Sequence, residues 1–134
     1  IEIADVRGTH LCVVFVDIDR LKSTNDQLGH PAGDEVLRRV ARGLRQQIRA
    51  SDFITRIGGD EFVVAFEDCT QRQAIAVVER TRLLLHSEPA AGPLDFSYGC
   101  FEYVPGSGLS ADELLRIADS RMYEFKRLKS ENTE

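Results

Sequence analysis

Gly58 and Gly59 stand between two β-rich runs, Phe53-Ile54 before them and Phe62-Val63-Val64 after, and they oblige the chain to double back. Paired glycines between strands make hairpins, because glycine takes positive φ without a Cβ clash and lets the backbone approach a ligand closely. Two carboxylates, Asp60 and Glu61, follow directly, so the hairpin has an acidic tip. An antiparallel pair with an acidic corner is the least this chain must contain. At such a corner a divalent cation and a phosphate can meet, which points toward phosphoryl or nucleotidyl transfer.

The flanking segments supply the remaining elements. Leu11–Ile18 is a short Val-rich run that leads into acids, and it reads as a buried strand. Residues 20–28 read as a short helix closed by Gly29. From Pro31 a second helix runs to about Arg49, with Val36, Leu37, Val40, Leu44 and Ile48 on one face. Pro31 and Asp34 suit its first turns. Residues 53–57 and 61–67 are the hairpin strands, and Gln71 to about Ser87 is a third helix with Ala74, Val77, Val78, Leu84 and Leu85 apolar. A break at Pro89–Pro93 precedes a strand near Leu94–Tyr103, and a turn at Pro105–Gly108 leads to a last helix. There Ser110 and Glu113 form a capping box, with Leu114, Ile117, Ala118 and Tyr123 as the buried side.

The resulting order, β-α-α-β-β-α-β-α, resembles the split β-α-β-β-α-β arrangement with added helices. It implies an α+β, ferredoxin-like domain whose mostly antiparallel central sheet is flanked by helices. Residues 1–9 and 130–134 read as frayed ends. The chain opens on Ile1 without a Met, as expected of a piece of something larger.

At 134 residues the chain makes one domain with a core that needs no disulfides. Its net charge of −5 argues against a nucleic-acid binder with a broad basic face. A nucleotide substrate stays compatible with that charge, since a bound metal offsets phosphate locally. Cys12, Cys69 and Cys100 are scattered among apolar neighbours without a CxxC pair, as buried thiols in a reducing compartment would be. No apolar run is long enough to span a membrane and no signal peptide is visible. A cytoplasmic location is expected, with any membrane anchor of the full-length protein lying elsewhere.

Asp17 and Asp19 follow one another at alternate positions at the end of the first strand and share a face if the strand holds that far. In this topology the first strand can lie beside the hairpin and bring Asp17 near Asp60. Carboxylates from neighbouring strand ends make a hard oxygen site suited to Mg²⁺, which keeps some waters and binds phosphate oxygens as well. Two such ions about 4 Å apart can activate a hydroxyl and stabilise a leaving pyrophosphate. On their own the same residues read equally as caps of the next helix and as an ordinary polar turn. Acids at both strand ends together favour a site.

Several segments now resemble one family. Phe15-Val-Asp-Ile-Asp-Arg-Leu-Lys22, Asn25-Asp26, Gly29-His30, Ala32-Gly-Asp-Glu35 and Arg56-Ile-Gly-Gly-Asp-Glu-Phe62 are similar to the GGDEF-domain diguanylate cyclases, in their order and near their spacings. Ser97-Tyr98-Gly99 resembles that family's later strand, and Ala118-Asp119 with Tyr123 and Lys126 resembles its final helix. The resemblance implies a nucleotidyl-cyclase palm over 11–129, with 1–10 the end of an upstream linker and 130–134 a C-terminal tail. It implies condensation of two GTP into cyclic di-GMP and two pyrophosphates, with Mg²⁺ or Mn²⁺ as cofactor. It also implies a homodimer in which each protomer holds one GTP, attached to a sensory domain in the full-length protein.

Carried over by position, Asp17, the Ile18 carbonyl and Asp60 would hold the metal. Asp60 would also orient or deprotonate the 3′-hydroxyl, and Glu61 would support the metal site. Asn25 and Asp34 would read the guanine edge, where a carboxylate accepts from N1–H and N2–H₂ as adenine cannot allow. His30, Gly58, Gly59, Lys22 and Lys126 complete the expected substrate contacts, with Lys22 facing the triphosphate. Without the family context, Asn25 and Gly29-His30 read as a helix end, Asp34 as a first-turn acid and Lys22 as a solvated lysine.

Arg49-Ala50-Ser51-Asp52 matches the RxxD inhibitory site at which product binds in many members of that family, and Arg80 falls where a second inhibitory arginine occurs. An arginine forks onto phosphate or guanine, though by position alone Arg49 is also a helix-terminal cation. The chain departs from the family at Leu21, where Phe is usual, and after Lys126. There Arg127-Leu128-Lys129-Ser130 replaces the usual approach to Gly-Arg-Asn, which leaves Arg127 or Lys129 to substitute for the missing arginine. Two other functions compete with the cyclase: a non-catalytic cyclic di-GMP receptor using Arg49 and Asp52, and a GTP-binding regulatory module without turnover.

Overall fold

The Val-rich run forms β1 (Leu11–Ile18), with every residue after Leu11 buried. A strand apolar on both faces belongs in the middle of a sheet. Here β1 lies between β3 (Glu61–Glu67) and β4 (Phe96–Tyr103), and β2 (Phe53–Arg56) completes the order β2-β3-β1-β4. All three pairings are antiparallel. The computed structural model describes residues 8–88 and 94–132, and the Pro89–Pro93 break lies outside them. The helices are α1 (Leu21–Leu28), α2 (His30–Gln47), α3 (Gln71–His86) and α4 (Ala111–Asn132). The fold class is the α+β antiparallel arrangement expected.

Strand alternation divides β1 between two cores. Cys12, Val14, Val16 and Ile18 pack with Val40 and Leu44 of α2 and Ala74, Val78 and Leu85 of α3. Val13 and Phe15 face the other way, onto Leu114, Ala118 and Met122 of α4. Asp17 continues that second series, and this sends a carboxylate toward α4. The contact is close because β4 offers Gly99 to the helix: a Cβ there would lie 2.1 Å from the Ala118 carbonyl oxygen. The three cysteines are free and buried, with the Cys12 and Cys100 sulfurs 2.9 Å apart. Among the described residues no helix is long and apolar enough to cross a membrane.

The elements differ from the sequence expectation in several places. The buried stripe of α4 is Leu114-Ala118-Met122, whereas Tyr123 is 67% exposed and Ile117 only half-buried. Stepping by four keeps a helical stripe aligned over this length, and Tyr123 lies one position past it. Leu84 faces solvent with Leu83, and Thr81 takes the buried position on α3, its hydroxyl bonded to the Val77 carbonyl at 2.9 Å. α2 ends at Gln47 with Ile48 already extended, β2 ends at Arg56 and β4 begins at Phe96. α4 continues past 130 to Asn132. His10, placed in the linker, has its carbonyl bonded to the Cys69 N–H at 3.3 Å and its ring paired with Glu102.

Neither Gly58 nor Gly59 takes positive φ; among the described residues the glycines that do are Gly8, Gly29, Gly106 and Gly108. The backbone of the tip therefore does not demand glycine. A Cβ on Gly59 would meet nothing within 4 Å, so what the residue provides is open space in front of the backbone.

Candidate functional site

The end of β1 and the hairpin meet through the backbone. The Ile18 N–H donates to the Asp60 carbonyl at 2.9 Å, and Asp17 stands directly opposite Glu61 in the ladder. Like charges facing each other across strands are destabilising. Lys126 from α4 offsets part of this, its Nζ donating to Asp17 Oδ2 at 2.9 Å. The other oxygen, Oδ1, is buried with no hydrogen-bond partner. Burial, reinforced by the Asp60 charge, pushes the Asp17 carboxyl up to about 6 in spite of Lys126. Burial also raises Glu61, with Asp60 and Asp119 adding to the effect.

A partnerless buried carboxylate oxygen beside a second carboxylate fits a cation, which would favour the ionised form of both. Among the described residues no three His, Cys, Asp or Glu side chains cluster around a metal position. Mg²⁺ accepts few protein ligands when waters and phosphate oxygens fill the rest of its shell.

On the other side of the hairpin tip a cleft of about 320 Å³ is lined by Lys22, Asn25, His30, Asp34, Gly59 and Asp60, together with Leu21, Gly33, Leu37 and Arg56. It exists because α1 and α2 join without a loop. Gly29, at φ 89°, ends one helix through its N–H to the Asn25 carbonyl at 2.9 Å and starts the next. Gly33 then lets Asn25 lie flat against α2, for a Cβ there would fall 1.7 Å from Asn25 Oδ1. That amide oxygen is likewise buried without a partner. A larger hollow of about 400 Å³ between α2 and α3, around Gly43, Thr81 and Leu84, contains none of the candidate residues.

The expected site residues thus fall into three places. Lys22, Asn25, His30, Asp34, Gly59 and Asp60 share the cleft. Asp17, Glu61 and Lys126 lie behind Asp60 on the α4 side, and Gly58 adjoins Glu61. Arg49 and Asp52 precede β2 and so lie at its opposite end from the tip, across a strand of about 13 Å. Lys126, expected against substrate, engages Asp17, because α4 crosses the face to which that acid points.

Arg49 and Asp52 are joined tightly. Arg49 donates from Nε at 3.2 Å, Nη2 at 3.1 Å and its backbone N–H at 2.8 Å, and Asp52 also accepts from the Glu67 N–H at 3.1 Å. Burial alone would raise the Asp52 carboxyl, but these bonds outweigh it and hold the group below the usual range. The pair ties the end of α2 to β3, while the Arg49 side chain stays 56% exposed. Arg80 reaches the same end of α2, its Nε donating to Gln47 Oε1 at 3.1 Å.

Three contributors stood in the segments that carry the resemblance but were given no role there. Arg56 braces the tip, donating to the Gly58 and Gly59 carbonyls at 3.0 and 3.1 Å. Gly33 makes room for Asn25; its signals were a glycine inside a helical pattern and its place in the Ala32–Glu35 match. Asp119 acts on Glu61 from α4, and its only signal was its place in the Ala118-Asp119 match. The two suggested substitutes for the missing arginine have other partners. Arg127 pairs with Glu124 and Glu131 on the exposed side of α4, and Lys129 pairs with Asp19 and Asp95.

The model of the family described as "Diguanylate cyclase, GGDEF domain" matches residues 1–132. The chain is similar to diguanylate cyclase DosC of Escherichia coli, 32% identical over 132 residues, covering 92% of this chain and 28% of that protein. Among solved structures it resembles the GGDEF domain of DgcB from Caulobacter crescentus in complex with c-di-GMP, at 30% identity, with a TM-score of 0.87 over 94% of this chain and 77% of that one. The active GGEEF domain of a diguanylate cyclase from Vibrio cholerae gives a TM-score of 0.86 at 29% identity, over 94% of this chain and 82% of that one. The chain spans less than a third of the length of the curated relative.

Proposed function

Because the chain belongs to the diguanylate cyclase GGDEF-domain family, we propose that it condenses two GTP into cyclic di-GMP and two pyrophosphates, as one half of a homodimer. The observation that carries this reading is the adjacency of two features: the partnerless Asp17 oxygen beside Asp60, and a cleft with Asn25 in its wall, the amide oxygen of that residue buried without a partner. The first suits Mg²⁺ or Mn²⁺, and the second suits the N–H donors of a guanine edge.

In this reading Asp17, the Ile18 carbonyl and Asp60 hold the cation, which when bound neutralises phosphate charge and lowers the pKa of a coordinated hydroxyl. Asn25 and Asp34 accept from the guanine N1–H and N2–H₂. Lys22 stands at the rim toward the triphosphate, His30 shapes the start of α2, and open Gly59 leaves room for phosphate against the hairpin. Lys126 keeps Asp17 oriented toward the metal position. Asp60 takes a hydrogen bond from the 3′-hydroxyl, and Glu61 supports the site electrostatically. The new bond joins that 3′-oxygen to the α-phosphorus of the GTP held by the facing protomer; the α–β bridge breaks and pyrophosphate leaves. One hairpin holds one GTP, so turnover requires two copies.

Incubation with GTP and Mg²⁺ across protein concentration is the test. Cyclic di-GMP formed at a rate rising faster than linearly with protein supports the cyclase. Absence of product from a demonstrably dimeric protein sinks it, with binding of cyclic di-GMP alone or of GTP alone identifying the receptor or the regulatory module. A sensory domain in the full-length protein is part of the same reading.

Two variants refine it. Gly33→Ala drives the new methyl into Asn25 Oδ1, at the end of a side chain that can swing away. The off-rotamer cost of roughly 1 kcal/mol is comparable to the helix propensity gained. Thermal stability should therefore hold while the KM for GTP rises about tenfold, the equivalent of one lost hydrogen bond to the base. Arg49→Ala should raise the cyclic di-GMP concentration for half-inhibition about tenfold, through loss of a charge-assisted contact. Initial rates should not change, and inhibition that persists unaltered would remove Arg49 from the inhibitory site.

A further inference from the structure

The last turn of α4 reaches back across the sheet to the exit of β1. Lys129 Nζ donates to Asp95 Oδ2 and to the Phe96 carbonyl, each at 3.0 Å, and also to Asp19 Oδ2. Its ammonium lies 5.2 Å from the centroid of the Phe125 ring. Asp95 is gripped from the other side by Arg82, whose Nε lies 2.7 Å from Oδ1. Asp19 takes one more hydrogen bond, from Ser97 Oγ at 2.9 Å. Its backbone N–H donates to the Asp95 carbonyl at 3.0 Å.

That backbone bond fixes a peptide plane. The Asp19 N–H and the Ile18 C=O belong to one planar trans unit and point in opposite directions. With the N–H held toward Asp95 at the start of β4, the Ile18 carbonyl points to the β3 side. Asp60 lies there, its own carbonyl accepting from the Ile18 N–H. Remove the ammonium and two carboxylates, Asp19 and Asp95, face each other, with Arg82 bonded to Asp95 and to Glu79 but not to Asp19. Asp19 then keeps one hydroxyl donor against a like charge, and the β1–α1 turn is free to shift.

We infer that Lys129 is a positioning residue: by joining Asp19 to Asp95 and the Phe96 carbonyl, it holds the Ile18–Asp19 peptide so that the Ile18 carbonyl faces the cation position beside Asp60. This rests on the cyclase reading of that position. Lys129 is thus no stand-in for a phosphate-binding arginine, since its charge is spent on the scaffold beneath the metal.

The test is Mn²⁺ binding, followed by the electron paramagnetic resonance of the free ion, with a non-hydrolysable GTP analogue and alongside thermal melts. Wild type and Arg127→Ala, which removes a cation from the exposed side of α4, should bind alike. Lys129→Met should bind Mn²⁺ about tenfold more weakly, as for other groups that orient metal ligands. Lys129→Arg should recover most of that loss, and Asp95→Asn should fall between. A Lys129→Met protein that melts lower yet binds Mn²⁺ like wild type would reduce the lysine to a structural tie and overturn the inference. If Lys129→Met does not fold, equal binding by wild type and Asp95→Asn does the same. Failure of wild type itself to bind Mn²⁺ with the analogue would instead remove the cation site, and the cyclase reading with it.

Discussion

Asp60→Asn is expected to abolish cation-dependent product formation while leaving the melting temperature unchanged or slightly higher. The backbone argument comes first: Asp60 holds the end of β1 through its carbonyl, which accepts from the Ile18 N–H at 2.9 Å, and an asparagine keeps that bond. In the proposed reading the side chain carries the chemistry. Its charge is among the causes that raise the Asp17 carboxyl to about 6, after burial itself. Neutralising it lets Asp17 ionise more readily against Lys126, so a local repulsion is relieved. On that reading the same change would leave the cation with one charged ligand in place of two. Loss of a group whose work is transition-state charge stabilisation costs on the order of 10²-fold or more in turnover. Product formation and a circular-dichroism melt on the same sample separate the two effects. Near-native turnover would show that the metal assignment is wrong; a large fall in melting temperature would show that Asp60 acts structurally.

That asymmetry reflects how the site is built. Asp17 opposite Glu61, with Asp60 beside them, is a poor arrangement for a stable sheet, and Lys126 bonds directly to Asp17 while acting on Glu61 and Asp60 through charge alone. Local rules break where function is placed. The break was visible in the sequence, because an acid inside the register of Val13 and Phe15 belongs to a face that is otherwise apolar. The hairpin acids were equally visible, since glycine pairs between strands are local signals.

The main cause of what the sequence left hidden is distance along the chain. Lys126 finds Asp17 across 109 positions and Lys129 finds Asp19 across 110, and neither lysine has a neighbour that announces the pairing. Tyr123 and Met122 illustrate a smaller limit. Apolar spacings of three and four both fit a helix, so the stripe could not be placed within one residue until α4 was seen on β4. The Gly58-Gly59 reading missed for another reason. Glycine signals either a special φ or an absent Cβ, and here only the second applies.

Gly99→Ala should cause the largest loss of stability from a single methyl group. Gly99 pairs with Phe15 in the centre of the sheet, and a Cβ at that position would lie 2.1 Å from the Ala118 carbonyl oxygen and 2.2 Å from the Met122 nitrogen. Both are backbone atoms of α4, so no rotamer change relieves the overlap and the helix must lift as a body. Overpacking costs typically 1–3 kcal/mol where side chains can yield. With backbone against backbone, about 3 kcal/mol is expected, a fall of roughly 10 °C in melting temperature for a domain of this size. Lifting α4 also draws Lys126 from Asp17 and Lys129 from Asp19. Turnover measured well below the melting point should therefore drop severalfold more than the unfolded fraction explains. Combining Gly99→Ala with Met122→Ala should deepen the instability, because the second change opens a cavity without moving the obstructing backbone. Recovery in the double variant would mean that side-chain packing, and not the approach of the helix backbone to β4, sets the position of α4.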